Sequence, residues 1–136
     1  MELRSPCGAA IGQLAYYYNG EIYTCDEGRM LAEMGDKKFF LGNVLDSNYK
    51  DLLENDLTKE VCKASCLEST KCCKKCAYMP FCGTCPVTNY AHTKKMQLLN
   101  QNDYRCKIMK GVLDTLFSYL ERKEKSTIKV FNTWIN

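Results

Sequence analysis

The sequence lacks the segments that direct a chain into or across a membrane. Its first residues, Met1 to Pro6, contain no apolar run of the kind found in a secretory signal, and no stretch is long enough to cross a bilayer. No internal repeat, low-complexity tract or linker interrupts the 136 residues, so the length predicts one domain. We therefore expect a cytoplasmic protein that has no membrane among its partners.

Signals for catalysis and for nucleic-acid binding are also scarce. His92 is the single histidine, and a lone histidine is more often a surface or hydrogen-bonding residue than half of a Cys–His nucleophilic pair. Asp26 and Glu27 adjoin Cys25, but a polar loop is favoured over an acid–base pair. No glycine-rich phosphate loop is present. Arginines are not clustered and aromatics are not regularly spaced, so nucleic acid is not expected as a partner. We assign no catalytic residue.

Cysteine, in contrast, is abundant, at 10 of 136 residues. Reduced thiols in a cytosol are more often metal ligands than disulfides. The central block has the spacing C-x2-C-x5-C-x2-C, and its members are Cys73, Cys76, Cys82 and Cys85. Two sulfurs on one tight loop can reach the same ion or cluster, so the spacing indicates zinc or iron–sulfur chemistry. Nearby lysines either form a solvated face or offset the negative charge of a thiolate-bound cluster: Lys59, Lys63, Lys71, Lys74 and Lys75.

The N-terminal half predicts a hairpin followed by short elements. Asn19-Gly20 between two β-prone runs predicts a type I′ turn within residues 12–25. A polar loop is expected at residues 26–29, and residues 39–41 are expected either to form a short strand or simply to pack. Apolar residues near period 3.6 between residues 47 and 67 predict two short helices that are separated near Asn55.

The C-terminal half predicts a cysteine loop over residues 71–86 and an amphipathic helix over residues 103–123, with Cys106 in its first turn. The apolar stripe of that helix is Ile108, Val112, Leu113, Leu116, Phe117 and Leu120. The alternation in residues 128–135 is typical of a short strand. The fold class is therefore α+β: a small cysteine-rich metal-cluster domain with an N-terminal β-hairpin, a central cysteine loop and a C-terminal amphipathic helix.

The full cysteine grid resembles a known family. The grid runs C-x12-G-x4-C, then the central block, then a last cysteine, and its members outside the block are Cys7, Gly20, Cys25 and Cys106. It resembles the SPASM domain, the auxiliary-cluster domain of radical SAM peptide and protein maturases, and most closely those of the His-Xaa-Ser type. The resemblance covers about residues 5–120; residues 1–125 would form the domain and residues 126–136 a C-terminal tail. The family usually has three residues between the last two cysteines of the block, where this chain has Gly83 and Thr84.

The resemblance implies two 4Fe–4S clusters with interleaved ligands. The first would be held by Cys7, Cys25 and Cys85, with Cys66 as an additional candidate beside Cys62, a substrate group or none. The second would be held by Cys73, Cys76, Cys82 and Cys106. Cys72 would be a spectator or a substitute ligand, because adjacent cysteines rarely both face one cluster.

The resemblance also implies a larger enzyme. The catalytic C-x3-C-x2-C loop of radical SAM enzymes is absent, since Ser69 stands where a third cysteine would follow Cys62 and Cys66. We expect no activity from this chain alone, and we expect a radical SAM catalytic domain and a peptide or protein substrate as partners. The alternative is a four-cysteine zinc-binding interaction module, and zinc could also replace iron in an aerobic preparation. A disulfide-rich domain ranks third.

Overall fold

The computed structural model describes residues 7–134. Nine main elements follow one another in the order β1 Ala15–Tyr16, β2 Glu21–Tyr23, α1 Asp26–Glu33, β3 Phe40–Asn43, α2 Tyr49–Glu54, α3 Asp56–Ser65, α4 Pro86–Thr93, α5 Tyr104–Glu121 and α6 Lys125–Thr133. The strands form an antiparallel sheet in the order β1-β2-β3. The predicted α+β class is therefore correct. Among the described residues, no helix combines the length and the apolar character that a membrane span requires.

The predicted hairpin is present, but its turn is of a different type. β1 pairs with β2 through Ala15 opposite Tyr23, and the Gly20 amide donates to the Tyr17 carbonyl at 2.9 Å. Positive φ occurs at Gly20 (84°) but not at Asn19, whereas a type I′ turn needs it at both central residues. Residues 18–20 form a three-residue loop between Tyr17 and Glu21, and this loop ends in Gly20 with its positive φ. The type I′ prediction was therefore wrong.

Residues 26–29, expected to form a polar loop, begin helix α1 instead. Asp26 and Glu27 occupy its first turn, where carboxylates interact favourably with the helix N-terminus. The Asp26 carboxylate also accepts from the Arg29 side chain at 2.8 Å. Cys25 is the extended residue that precedes the helix. The sequence therefore carried a helix start signal that a loop assignment overlooked.

Helices α2 and α3 confirm the predicted pair and the break between them. The Asn48 side chain accepts from the Asp51 amide at 3.0 Å, and the Asn55 side chain accepts from the Leu57 amide at 2.9 Å. Asparagine is a favoured N-cap, so each asparagine starts one of the two helices. The predicted short strand near residues 39–41 is also present, as β3.

Phe39 is the centre of the main core and is fully buried. It packs with residues from α1, α3 and α4, namely Leu31, Val61, Ala64 and Val87. A second apolar cluster joins the sheet to α2 through Ile22, Leu41 and Leu52. A third, around Leu67, Cys73 and Leu98, lies beneath the cysteine loop. The sheet and four helices thus form a scaffold from which the cysteine loop extends.

The C-terminal part differs from expectation in two ways. Helix α5 forms as predicted, capped by the Asp103 side chain, which accepts from the Arg105 amide at 2.9 Å. Of its apolar stripe, however, only Leu113 is buried within the described chain. The tail forms helix α6 rather than a strand. Ile128 and Phe131 are three residues apart and share a helix face. The apolar residues of segment 128–135 are therefore compatible with a helix as well as with a strand.

A glycine-to-alanine pair tests the packing at the start of α1. A Cβ on Gly28 would lie 2.8 Å from Phe39 Cβ and 3.1 Å from Thr24 Oγ1. We expect Gly28→Ala to lower the unfolding free energy by about 1–3 kcal/mol, because overpacking outweighs the helix propensity of alanine. The control Gly111→Ala, in α5 with no atom within 4 Å, should raise it by about 0.5–1 kcal/mol. Urea denaturation measures both, and equal effects would contradict this packing.

Glu21 predicts a dependence of stability on pH. Its carboxylate accepts from Lys37 Nζ at 2.5 Å and from the Tyr23 hydroxyl at 2.7 Å, and these bonds lower the pKa of Glu21 from 4.5 to about 2. Because the pKa is lowered on folding, the stabilisation is complete above about pH 4.5 and is lost as the pH falls toward 2. Glu21→Gln should therefore destabilise the chain at neutral pH, and the difference from wild type should vanish near pH 2. Glu54→Gln, which alters an exposed pair with Lys50, is the control, and a pH-independent difference for Glu21→Gln would refute the assignment.

Candidate metal centre

A series of short turns places three cysteines of the central block on one side of the loop. The amides of Cys73, Cys76 and Cys82 donate to the carbonyls three residues earlier at 2.9, 2.9 and 3.3 Å. The Met79 amide does the same to Cys76 at 3.1 Å. A chain with about three residues per turn aligns the side chains at i and i+3. The spacing of the block therefore brings sulfurs together through local hydrogen bonds.

Helix α5 supplies the opposite wall. Together, loop and helix enclose a small space that we name the cysteine cavity, lined by Cys72, Cys73, Cys76, Cys82 and Cys106. Its other walls are mostly apolar and include Leu67, Met79, Leu98, Met109 and Leu113. All four residues assigned to the second cluster thus line one cavity, although Cys106 is distant from the others in the chain.

Burial raises the pKa of two of these thiols, Cys73 and Cys106, in the metal-free chain. Desolvation, with additional repulsion from Cys72, Cys82 and Cys106, raises the pKa of Cys73 to about 12. Burial also raises the pKa of Cys106, while the positive charge of Lys110 opposes the rise. Since metals bind thiolates, ligation here has to release protons.

The arrangement of the thiols sets requirements for any occupant. Within residues 7–134, no three His, Cys, Asp or Glu side chains are placed to hold a single metal ion. The free volume of the cysteine cavity is about 20 Å³, which is about one water molecule. A centre larger than one ion therefore requires the loop and α5 to move apart. The donor set itself, all sulfur in apolar surroundings, fits an iron–sulfur centre or zinc.

Cys25 and Cys85 each precede a helix. Cys85 Sγ accepts from the Thr88 amide at 3.5 Å at the start of α4. Cys25 precedes α1, and a hydrogen bond from the Gly28 backbone favours its thiolate, although burial prevails and raises the pKa of Cys25 to about 12. Helices α1 and α4 contact each other. Cys25 belongs to the main apolar core, and half-buried Cys85 packs against it. Two residues assigned to the first cluster therefore share one region of the core, at helix N-termini that favour anionic sulfur.

Cys7 and the two α3 cysteines form a further group. Cys7 is exposed, and its segment is held to β2 by the Ala10 amide, which donates to the Thr24 carbonyl at 2.8 Å. Cys66 ends helix α3. Burial raises the pKa of Cys66, with added contributions from Cys62 and Cys7, so these three thiols are neighbours. Cys66 and Cys62 therefore both remain candidates for a fourth ligand beside Cys7.

Cys72, expected to be a spectator or a substitute ligand, lies beside the candidate ligands. Its sulfur lies 3.9 Å from that of Cys73, and both line the cysteine cavity. Cys72 Sγ also donates to the Leu98 carbonyl at 3.7 Å, and its own carbonyl accepts from Gln101 Nε2 at 2.6 Å. The turn at residues 71–75 does not alternate side chains as a strand does, so two adjacent cysteines line the same cavity. Whether Cys72 would be a spectator or a substitute ligand stays a prediction.

The remaining chemically interesting residues have structural partners outside the cysteine cavity. His92 Nε2 lies 2.8 Å from the Tyr104 hydroxyl, and Asp26 pairs with Arg29. The helix starts at Cys25 and Cys85 were detectable in the sequence from the acidic pair after Cys25 and from Pro86, which is favoured in the first helical turn.

Comparison of the chain with protein-family models, with curated proteins and with solved structures finds no match in any of the three.

Thiol alkylation tests these environments in the reduced, metal-free chain. We expect iodoacetamide at about pH 8 to modify exposed Cys7 well before Cys25, because Cys25 is 3% exposed and its pKa is about 12. Mass spectrometry of proteolytic peptides gives the rate at each cysteine. The denatured chain is the control, in which the two rates should converge. Equal rates in the folded chain would contradict the burial of Cys25.

Proposed function

We propose that this chain is an auxiliary iron–sulfur domain of a radical SAM peptide or protein maturase, resembling the SPASM domain and holding two 4Fe–4S clusters. The observation that supports the proposal most is the meeting of Cys73, Cys76, Cys82 and Cys106 in one apolar cavity. Cys25 and Cys85, at the starts of two helices in contact, would serve the first cluster together with Cys7. Cys85 packs against the main core and does not line the cysteine cavity, which is compatible with the proposed interleaved ligand pattern.

An iron–sulfur centre bound at these positions would supply one-electron transfer or a site that positions a peptide. The contribution of the chain is to set the surroundings of the sulfurs. The Thr88 amide donates to Cys85 Sγ, and the Lys110 ammonium favours the thiolate of Cys106. Leu67 and Leu98 exclude water from one side of the cysteine cavity. Each of these contacts favours anionic sulfur or a low local dielectric.

The catalytic partner would be a radical SAM domain, because the chain has no C-x3-C-x2-C loop. The exposed apolar face of α5 supports a role beside another domain. Ile108, Val112, Leu116 and Leu120 recur at every fourth position, and each is at least one-third exposed. Contiguous apolar surface of this kind marks interaction sites. In the full enzyme this face would pack on a partner, and the chain would position a peptide substrate or relay electrons.

A zinc-binding interaction module is the second candidate, and one distance favours it. The sulfurs of Cys72 and Cys73 are 3.9 Å apart, close to the separation of about 3.8 Å that tetrahedral zinc with bonds of about 2.3 Å imposes on its thiolates. In that case Cys72 would be a ligand rather than a spectator. Metal content therefore separates the two candidates, and Cys72 is the residue on which they differ most.

Anaerobic reconstitution with iron and sulfide tests the proposal. We expect a brown protein with a broad absorption band at about 400 nm, and about eight irons and eight sulfides per chain. A colourless protein that keeps zinc and takes up neither iron nor sulfide would refute the iron–sulfur proposal and favour the zinc module.

Two variants in the same cavity sharpen the result. Cys106→Ala removes a ligand of the second cluster, so the iron content should fall to about four per chain. Cys72→Ala, one residue from Cys73, should leave about eight irons bound. If instead Cys72→Ala abolishes metal binding and Cys106→Ala does not, the assignment of the ligands is wrong.

A further inference from the structure

A basic groove lies beside the cysteine cavity. Its volume is about 900 Å³, and it is bounded by α3, by the start of the cysteine loop and by the segment that follows α4. We name it the lysine groove after the five lysines that line it, which are Lys38, Lys63, Lys71, Lys94 and Lys95. Neither the predicted clusters nor the core explains this concentration of charge.

Much of the positive charge in the lysine groove is uncompensated. Glu60 is the one carboxylate among the groove-lining residues of the described chain, and it pairs with Lys38 at 3.2 Å. Lys94 pairs at 2.8 Å with Asp36, which lies outside the groove lining. Lys63, Lys71 and Lys95 have no carboxylate within 4.0 Å in residues 7–134. The groove therefore favours an anionic ligand.

The base of the lysine groove is formed by smaller and apolar groups. Ala64, Met96 and Leu98 are buried there. Ser69 connects the two walls: its hydroxyl donates to the Lys63 carbonyl at 2.7 Å and accepts from Gln97 Nε2 at 3.3 Å. An apolar base beneath a cationic rim suits a peptide whose backbone and methylene groups lie deep while its carboxylates reach the lysines.

The same lining disfavours nucleic acid. It contains no arginine, and Tyr90 is its one aromatic residue in the described chain. Lys94 Nζ lies 4.9 Å from the centre of the Tyr90 ring, and Phe39 packs edge-on against that ring at 5.4 Å. Single-stranded nucleic acids bind on open aromatic faces, to which bases stack. A single half-buried tyrosine with a lysine over its ring does not form such a stacking surface.

Cys72 joins the lysine groove to the candidate metal centre, since it lines both the groove and the cysteine cavity. A ligand in the groove would therefore end beside the thiols. We propose that the lysine groove binds a peptide segment rich in aspartate and glutamate and directs it to the edge of the cysteine cavity. Peptide binding does not need a metal, whereas the role of this segment as the substrate of a maturase rests on the function proposed above.

A charge-reversal experiment tests the groove in the full chain. The probe is a fluorescein-labelled peptide of alternating glutamate and glycine. Its binding to the chain is measured by fluorescence anisotropy at low salt. We expect the triple variant Lys63→Glu, Lys71→Glu, Lys95→Glu to weaken binding at least about tenfold, because each change removes an ion pair and adds repulsion. The control reverses three exposed lysines of α5 and α6, Lys107→Glu, Lys125→Glu and Lys129→Glu, and should change binding less than about twofold. A variant with glutamine at the same three positions removes the positive charges without adding repulsion. It should weaken peptide binding in the same direction, but less than the glutamate variant does.

Three outcomes would overturn the proposal. Equal weakening by the groove and control variants would show a response to net charge alone. Equal affinity for a peptide with glutamine in place of glutamate would exclude carboxylate recognition. Tighter binding of a single-stranded oligonucleotide, lost in the same groove variant, would identify a nucleic-acid surface instead.

Alkylation of Cys72 gives a second, independent readout. Saturating acidic peptide should slow its modification by iodoacetamide in wild type but not in the triple glutamate variant, and unchanged rates in wild type would contradict the placement beside the cavity. Iron content is measured on the same samples. Peptide binding without iron uptake would refute only the iron–sulfur function, and iron uptake without peptide binding would refute only the groove.

Discussion

The chain of i to i+3 hydrogen bonds that runs from Thr70 to Cys82 is the constraint on which the candidate site depends. It aligns three cysteines on one side of a loop, and α5 closes the space above them with Cys106. Removal of these thiols from water raises the pKa of Cys73 to about 12. Cys73 therefore favours its neutral form, and in the proposed metal-bound state a cation would have to offset this desolvation, so metal binding would be coupled to the structure of the loop.

The scaffold places the other cysteines by a different means. Cys25 and Cys85 each precede a helix, and α1 and α4 pack around Phe39 and Val87. Amide groups at these helix starts face sulfur, as the Thr88 amide does toward Cys85. Core packing and thiolate stabilisation thus act at the same positions. A change that displaces α1, such as a side chain at Gly28, would disturb both.

Position connects the two proposals. The lysine groove and the cysteine cavity share Cys72, so the proposed anionic peptide in the groove would lie at the entrance of the cavity. Lysines near the cysteines were open to two interpretations in the sequence, a solvated face or charge compensation. Of these lysines, Lys63 and Lys71 line the groove, whereas the lysine that lines the cysteine cavity is Lys110, which was not among them. Under the two proposals, Lys110 would serve the thiolates, and Lys63 and Lys71 would serve an external ligand.

Local signals determined much of the fold by themselves. The Asn-Gly hairpin, the asparagine break between α2 and α3 and the amphipathic α5 depend on neighbouring residues, and all three were predictable. The turn type and the helical tail were not, because short segments satisfy more than one local pattern. The start of α1 was signalled by Asp26 and Glu27, and a loop assignment overlooked it. The cysteine spacing likewise indicated metal chemistry without its geometry. Only tertiary structure decided that Cys72 and Cys73 share a cavity, that α5 stays exposed and that distant lysines converge, since such contacts depend on packing between segments far apart in the chain.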